Sequence, residues 1–231
     1  MNSKKALISG VTGQDGAYLA KLLLDKGYKV FGTFRRTSTP NFWRLQYTDV
    51  YSQVNLIPAD LTDMGSLINA IKISDPDEVY NMAAMSFVRT AFEQPVGNSH
   101  STGTAVTRFL ESIKSINPNV KFYQASSSEM FGNSNTQIQN EQTSFSPASP
   151  YAAAKLYAHW ITKIYQEAYD MFAVSGILFN HESPIRGLEF VTRKITNAAA
   201  QIKLGLKKDI SIGNLQSKRD WGYAPEYMEA I

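Results

Sequence analysis

The sequence predicts an α/β protein, with a doubly wound parallel sheet covered by helices on both faces and followed by part of a smaller domain. From residue 5 to residue 178, short β-branched or aromatic runs alternate with longer stretches of helical periodicity. Such alternation is typical of parallel sheets. A glycine-rich turn also joins the first predicted strand to the first predicted helix. Right-handed crossovers then favour the strand order 3-2-1-4-5-6.

The individual elements follow from the spacing of apolar residues. Strands are predicted at residues 5–9, 29–34, 54–58, 78–82, 120–126 and 173–178. Helices are predicted at residues 15–26, 63–73, 102–115 and 150–170. We expect Gly27 to end the first helix, Thr62 to cap the second and Pro150 to lie in the first turn of the fourth.

The alternation changes after residue 178, which divides the chain into a domain at 1–178 and a partial region at 179–231. In the second region we expect a loop at 180–189, a helix at 190–205, a short strand at 210–212 and the start of a helix at 225–231. Because that last helix has barely begun at Ile231, we expect the sequence to be a piece of a longer one.

The composition excludes several classes of protein. The chain has no cysteine, which excludes disulfides, thiolate metal ligands and a cysteine nucleophile. No apolar run approaches about 18 residues, so we expect no membrane partner. The net charge of +3 fits either a solvated surface or a phosphate-bearing ligand, and no basic stripe suggests nucleic acid. The histidines lack metal-ligand spacing, so we expect no metal. The absence of cysteine fits a cytoplasmic enzyme, which is the location we expect.

The turn after the first strand has the glycine spacing of a dinucleotide site. Gly10 allows a tight turn, Gly13 lets the backbone approach a pyrophosphate, and Gly16 lets the helix pack close to the sheet. The helix N-terminus offers free N–H groups to the phosphates. The intervening residues predicted to contact the cofactor are Thr12, Gln14 and Asp15.

The end of the second strand favours NADP over NAD. An NAD site typically has an acidic residue there, whereas this chain has Arg35, Arg36 and Ser38, which suit a 2′-phosphate. Asp60 and Leu61 follow the third strand and are expected to border the adenine, although Asp60 is equally suited to cap the next helix. Small residues after the fourth strand would let a ribose or nicotinamide pass close to the backbone, namely Ala83, Ala84 and Ser86.

A second group of residues predicts oxidation of a hydroxyl. Tyr151 and Lys155 share one face of a helix, and Ser127 ends the fifth strand. A lysine ammonium together with a positive nicotinamide would lower the phenol pKa, so Tyr151 is the expected base and Ser127 the hydrogen-bonding partner of the reacting oxygen. Glu129 would remove an acidic C–H beside the new ketone and so permit loss of water; its alternative is a loop residue or salt-bridge partner.

Of the three histidines, His181 follows the sixth strand and could line the nicotinamide end of the site. We expect His100 to be structural and His159 to be a core or surface residue.

The motifs resemble those of the GDP-mannose 4,6-dehydratase family, of the extended short-chain dehydrogenase/reductase superfamily. They are GVTGQDG at 10–16, FYQASSSE at 122–129, SPYAAAKLY at 149–157, GILFNHESP at 176–184, FVTRK at 190–194 and GNLQSKRDWG at 213–222. NHESP and KRDWG are specific to this branch. Met85, Gly97 and Ile185 depart from the residues usual in the family.

The resemblance implies a Rossmann fold that binds NADP and a GDP-hexose such as GDP-mannose, which is converted to a GDP-4-keto-6-deoxyhexose. It makes Ser127, Glu129 and Tyr151 catalytic with Lys155 assisting, assigns His181 and Arg186 to the cofactor, and implies a homodimer or homotetramer. The residues expected on the sugar-nucleotide side are Ser86, Ser127, Glu129, Asn180, Gly187, Lys194, Gly213 and Arg219.

Two alternatives stay open. One is another enzyme of the superfamily, such as a dehydratase of a different GDP-sugar, an epimerase, a decarboxylase or a reductase. The other is a non-catalytic NADP-binding regulator.

Overall fold

A computed structural model describes residues 3–134, 136 and 138–231 of the chain. Six parallel strands form one sheet in the order β3-β2-β1-β4-β5-β6, which confirms the predicted order. The strands are β1 (Lys5–Ser9), β2 (Lys29–Phe34), β3 (Asn55–Pro58), β4 (Glu78–Asn81), β5 (Lys121–Ser127) and β6 (Ala173–Leu178). Each agrees with its predicted range to within one residue at either end.

Helices connect and cover these strands. They are α1 (Gln14–Asp25), α2 (Trp43–Tyr47), α3 (Met64–Ser74), α4 (Val88–Glu93), α5 (Pro95–Asn98), α6 (Thr104–Ile116), α7 (Pro150–Tyr169), α8 (Val191–Lys203) and α9 (Ala224–Ala230). A π-helical turn, Ser99–Gly103, precedes α6, and a 3-10 turn, Ser128–Met130, follows β5. The short helices α2, α4 and α5 were not predicted, because each is too short to show a helical period.

The cap of α3 differs from the prediction. The Asp63 carboxylate, and not the Thr62 hydroxyl, accepts hydrogen bonds from the first turn, from Gly65 N at 3.2 Å and Ser66 N at 3.1 Å. Thr62 instead donates its hydroxyl to Asp60 Oδ1 at 2.7 Å. Both residue types are good N-caps, so their order along the chain does not decide which one serves.

Successive residues of β1 face opposite sides of the sheet, and a separate core forms on each side. Leu7 packs with Phe109 and Phe122 in a cluster beneath α3, α6 and α7. Ile8 packs with Leu19 and residues of α9 in a cluster on the α1 face. Burial on both faces explains why the strands read as continuous apolar runs.

A second, two-stranded sheet lies beyond β6. Its strands β7 (Asn180–Glu182) and β8 (Trp221–Tyr223) pair in parallel. The predicted loop at 180–189 is therefore wrong at its first three residues, and the strand predicted at 210–212 is not formed. Three-residue strands that pair across a long separation leave no local pattern. The division of the chain at residue 178 stays a prediction. No helix among the described residues is long and apolar enough to cross a bilayer.

Candidate active site

The glycine turn after β1 adopts a backbone that side chains would obstruct. Gly10 has a φ of 71°, and a Cβ placed on it would lie 2.8 Å from Ala83 Cα. A Cβ on Gly16 would lie 2.4 Å from Gly10 O. Gly13 is the N-cap of α1 and has no side chain with which to cap it. The first amides of α1 therefore stay open toward the adjacent cleft, with the positive end of the helix dipole behind them.

This cleft has a volume of about 450 Å³ and lies at the carboxyl ends of β1, β4, β5 and β6. Most of the predicted site residues line it: Gly10, Thr12, Gly13, Gln14, Asp15, Gly16, Ala83, Ala84, Ser86, Ser127, Glu129, Tyr151, Lys155, Asn180, His181 and Arg186. The carboxyl edge of an open parallel sheet is where ligands bind in folds of this kind.

The predicted Ser, Tyr and Lys come together on the wall formed by β5 and α7. Tyr151 and Lys155 are 7% and 3% exposed, and Ser127 ends β5 beside them. Lys155 Nζ donates to Ala125 O at 2.6 Å and lies 5.8 Å from the centroid of the Tyr151 ring. Ser149 caps α7 through a hydrogen bond from Ala152 N, which fixes where this wall begins.

Burial dominates the acid–base properties of this pair. It raises the pKa of Tyr151 to about 12, although the Ser127 hydroxyl opposes the rise, and it lowers the pKa of Lys155 to about 8. The expected lowering of the phenol pKa is therefore not produced by the residues of the chain alone. A further positive charge beside the phenol is needed to reverse the effect of burial.

Asp15 and His181, both predicted to contact a cofactor, bind one another. His181 Nε2 lies 2.8 Å from Asp15 Oδ2, and His181 Nδ1 lies 2.7 Å from Phe179 O. Since both partners are acceptors, the ring satisfies them only with a proton on each nitrogen. Burial opposes that charge, but the carboxylate outweighs it and raises the pKa of His181. Burial likewise opposes the charge of Asp15, and the bond to His181 nevertheless lowers the pKa of that carboxyl.

Several contacts join the glycine turn to the segment after β6, and sequence reasoning missed the residues that make them. Arg44 of α2 donates from Nε to Ile185 O at 2.8 Å and from Nη1 to Thr12 O at 3.3 Å. Ser183 donates to Gln14 Oε1 at 2.8 Å. The acceptors of Arg44 are main-chain carbonyls, which carry no signal in the sequence.

The residues predicted to favour NADP over NAD, and those predicted to border the adenine, do not line this cleft. Arg35, Arg36 and Ser38 follow β2 and are exposed. The Asp60 carboxylate accepts from the main chain and hydroxyl of Thr62, and Leu61 packs against the core.

A second cavity, of about 580 Å³, adjoins the first. Glu129 and Asn180 line both cavities, and Lys218, Arg219 and Asp220 line the second. Glu129 thus lies between a cleft with the Tyr and Lys pair and a cavity with two cationic side chains. The other residues expected on the substrate side, Gly187, Lys194 and Gly213, line neither cavity.

Known sequences resemble this one along nearly its whole length. A family model described as GDP-mannose 4,6 dehydratase matches residues 7–231. The GDP-mannose 4,6-dehydratase of Sinorhizobium fredii (strain HH103) is 49% identical over 235 residues, which cover 99% of this chain and 67% of that protein. GDP-mannose 4,6 dehydratase 2 of Arabidopsis thaliana is 51% identical over 238 residues, which cover 99% of this chain and 64% of that protein. The chain thus spans about two thirds of the length of these relatives.

Solved structures share the fold. The UDP-N-acetylglucosamine 4-epimerase from Methanobrevibacter ruminantium M1, in complex with UDP-N-acetylmuramic acid, superposes with a TM-score of 0.85 at 25% identity, covering 100% of this chain and 72% of that one. The dTDP-glucose 4,6-dehydratase from Bacillus anthracis str. Ames, in complex with NAD, has a TM-score of 0.84 at 21% identity, covering 99% and 70%. At these identities the likeness concerns the fold.

Proposed function

We propose that this chain, which belongs to the GDP-mannose 4,6 dehydratase family, carries the active site of an NADP-dependent lyase that converts GDP-D-mannose to GDP-4-keto-6-deoxy-D-mannose. One observation carries the proposal. A single cleft collects an open helix N-terminus, a buried Tyr and Lys pair, a strand-end serine and Glu129. The first supports dinucleotide binding, and the others support oxidation followed by elimination.

The cleft fits a dinucleotide. The uncapped amides of α1 suit a pyrophosphate. A Cβ on Gly10 would lie 2.8 Å from Ala83 Cα, so the two main-chain segments lie close together at this point of the cleft. Arg186 lines the same cleft, and although its Nε is buried 3.4 Å from the Glu182 carboxylate, its guanidinium group brings positive charge that suits an anion. The α1 amides and Arg186 would hold the dinucleotide, whose nicotinamide would supply an acceptor for the hydride of the sugar and a donor for its return.

The preference for NADP over NAD rests on Arg35 and Arg36. Both are exposed after β2, and neither forms a salt bridge with a carboxylate in the described part of the chain. Guanidinium groups form paired hydrogen bonds with phosphate oxygens, which suits a 2′-phosphate at this position.

The chain's own residues have distinct roles in this proposal. Tyr151 takes the proton of the sugar 4-hydroxyl, and Ser127 hydrogen-bonds the same oxygen as it becomes a ketone. The ketone acidifies the C5–H bond, so the Glu129 carboxylate removes that proton and delivers it to the C6 hydroxyl, which leaves as water. Once the hydride has returned to C6, the proton that Tyr151 took goes back to the sugar at C5, so that one water is lost and both side chains regain their starting protonation.

The charge and position of the second cavity suit the nucleotide of the substrate. Lys218 and Arg219 bring positive charge to it, and it meets the first cleft at Glu129. A sugar that spans Glu129 would have its reacting carbons beside Tyr151 and its diphosphate toward the two cations. We also propose that the protein is cytoplasmic and that it forms a homodimer or a homotetramer.

Mass spectrometry of nucleotide sugars tests the function. The protein is incubated with NADP and, in parallel, GDP-mannose, other GDP-sugars and UDP-sugars. We expect GDP-mannose alone to lose the mass of one water, and the Tyr151→Phe variant to leave it unchanged. Loss of water from another sugar refutes the specificity, and a product of unchanged mass that separates from the substrate by chromatography before the mass spectrometer indicates an epimerase. No reaction with any sugar, in a protein that binds NADPH, favours the non-catalytic regulator.

A further inference from the structure

A row of buried polar side chains crosses the sheet directly beneath the cleft. Strand register places Ser9, Asn81 and Gln124 side by side on β1, β4 and β5. All three are at most 1% exposed. Two residues earlier in each strand, the same face carries an apolar row of core residues, namely Leu7, Val79 and Phe122. On this face of the sheet, the side chains therefore change from apolar to polar where the strands reach the cleft.

The row is joined by hydrogen bonds from end to end. Ser9 donates its hydroxyl to Asn81 Oδ1, and Asn81 Nδ2 donates to Gln124 Oε1 at 2.7 Å. Gln124 Nε2 then donates to Ala125 O at 2.7 Å. The same carbonyl accepts the hydrogen bond from Lys155 Nζ at 2.6 Å. The row thus ends on the atom that holds the lysine ammonium.

We propose that Gln124 is a positioning residue: fixed by Asn81 and Ser9, it shares the Ala125 carbonyl with Lys155 and prevents the ammonium from being held too tightly by the protein. A buried ammonium has three donors, and an unshared carbonyl would satisfy one of them strongly. Sharing weakens that bond and leaves Lys155 available to a ligand in the cleft. That Lys155 must be available to a ligand rests on the proposed function. That Gln124 and Lys155 share the Ala125 carbonyl does not rest on it.

The geometry fixes the direction of the effect. The Gln124 amide donates to the same oxygen as the ammonium, so its partial positive charge lies beside Lys155 and disfavours the protonated form. Asp15 from α1 is the charged group that raises the pKa of Lys155, against the lowering by burial. The Tyr151 ring lies 5.8 Å from Lys155 Nζ, and Glu129, His181 and Arg186 line the same cleft. Removing the amide leaves all of these in place, so it isolates the contribution of Gln124.

The test is a lysine titration on the protein without sugar or cofactor. Protein labelled with ¹³C at the lysine ε-carbon is titrated by NMR, and the Lys155 signal is identified by its loss in Lys155→Met. We expect Gln124→Met to raise the Lys155 titration midpoint by about half a pH unit, and Gln124→Glu to raise it further because a carboxylate attracts the ammonium. Gln124→Glu also keeps the acceptor for Asn81, so it tests the proposal if the methionine variant folds poorly.

Thr162→Val is the matched control. It removes a buried hydroxyl of α7 that bonds to Ala158 O of the same helix at 2.8 Å, and should not move the Lys155 midpoint. We also expect Gln124→Met to weaken NADPH binding by about threefold or more, measured by fluorescence. A Lys155 midpoint in Gln124→Met or Gln124→Glu that is equal to or below that of the unmodified protein overturns the proposal. Absence of dehydration by the unmodified protein refutes the proposed function instead.

Discussion

The ion pair between Asp15 and His181 allows a prediction about stability in which the effect of charge is separated from the effect of side-chain size. Asp15→Asn keeps the volume of the side chain but removes the charge that holds the imidazolium. The Asp15 side chain is 22% exposed and that of His181 is 8% exposed. Loss of one partner from a buried pair costs about 3–5 kcal/mol, and a charged hydrogen bond contributes about 1.5–3 kcal/mol. Because Asp15 is partly solvated, we expect a loss of about 2–3 kcal/mol in the free energy of unfolding.

The sign of the pH dependence follows from the two pKa shifts. The pKa of His181 is raised above its ordinary value of 6.5, so its contribution is complete below that pH and is lost as pH rises through the folded-state pKa. The pKa of Asp15 is lowered from 3.8, so its contribution is present above that pH and is lost on further acidification. The difference between the unmodified protein and Asp15→Asn should therefore be largest between these two ordinary values and should shrink at alkaline pH.

Thermal unfolding followed by circular dichroism at mildly acidic and alkaline pH measures this difference. For a chain of this length, the expected loss corresponds to a fall in Tm of about 5–10 °C at acidic pH. Asp25→Asn is the matched control, because Asp25 lies on the same helix in an exposed pair with Lys21 at 3.2 Å. Such a pair contributes less than about 1 kcal/mol. A Tm difference for Asp15→Asn that is independent of pH, or larger at alkaline pH, refutes the reasoning.

Three further predictions concern the proposed chemistry. Replacing Arg35 and Arg36 together by alanine should weaken NADPH binding by about tenfold or more and leave NADH binding nearly unchanged, as two fluorescence titrations would show; equal losses contradict the NADP assignment. Tyr151→Phe should lower the dehydration rate by about 10²–10⁴-fold while NADPH still binds, and a retained rate excludes the phenol as base. Glu129→Gln should still oxidise the sugar, seen as NADPH absorbance on adding GDP-mannose, but should release no dehydrated product; normal product contradicts the role of Glu129.

The sequence predicted what depends on regular periodicity and on neighbouring residues. The sheet order followed from alternation, and the spacing of Tyr151 and Lys155 on one helix put both in the cleft. It did not predict contacts between segments far apart along the chain. Arg44 binds two main-chain carbonyls, and β7 pairs with a strand about forty residues away. Such contacts form only once the sheet has brought the segments together, so no local pattern encodes them.

The sequence could not show how strongly burial opposes activation of the phenol, because a spacing of four residues carries no information on burial. With a pKa of about 12, Tyr151 stays protonated at neutral pH even though Lys155 lies 5.8 Å from its ring centroid. Lowering that pKa to near 7 requires about 7 kcal/mol of additional stabilisation of the phenolate. The hydrogen bond of Ser127 already contributes to the pKa of about 12, so under the proposed function the additional stabilisation must come from positive charge delivered by a bound ligand. Burial thereby makes the base depend on the complex: the phenolate forms where a hydride acceptor is already in place.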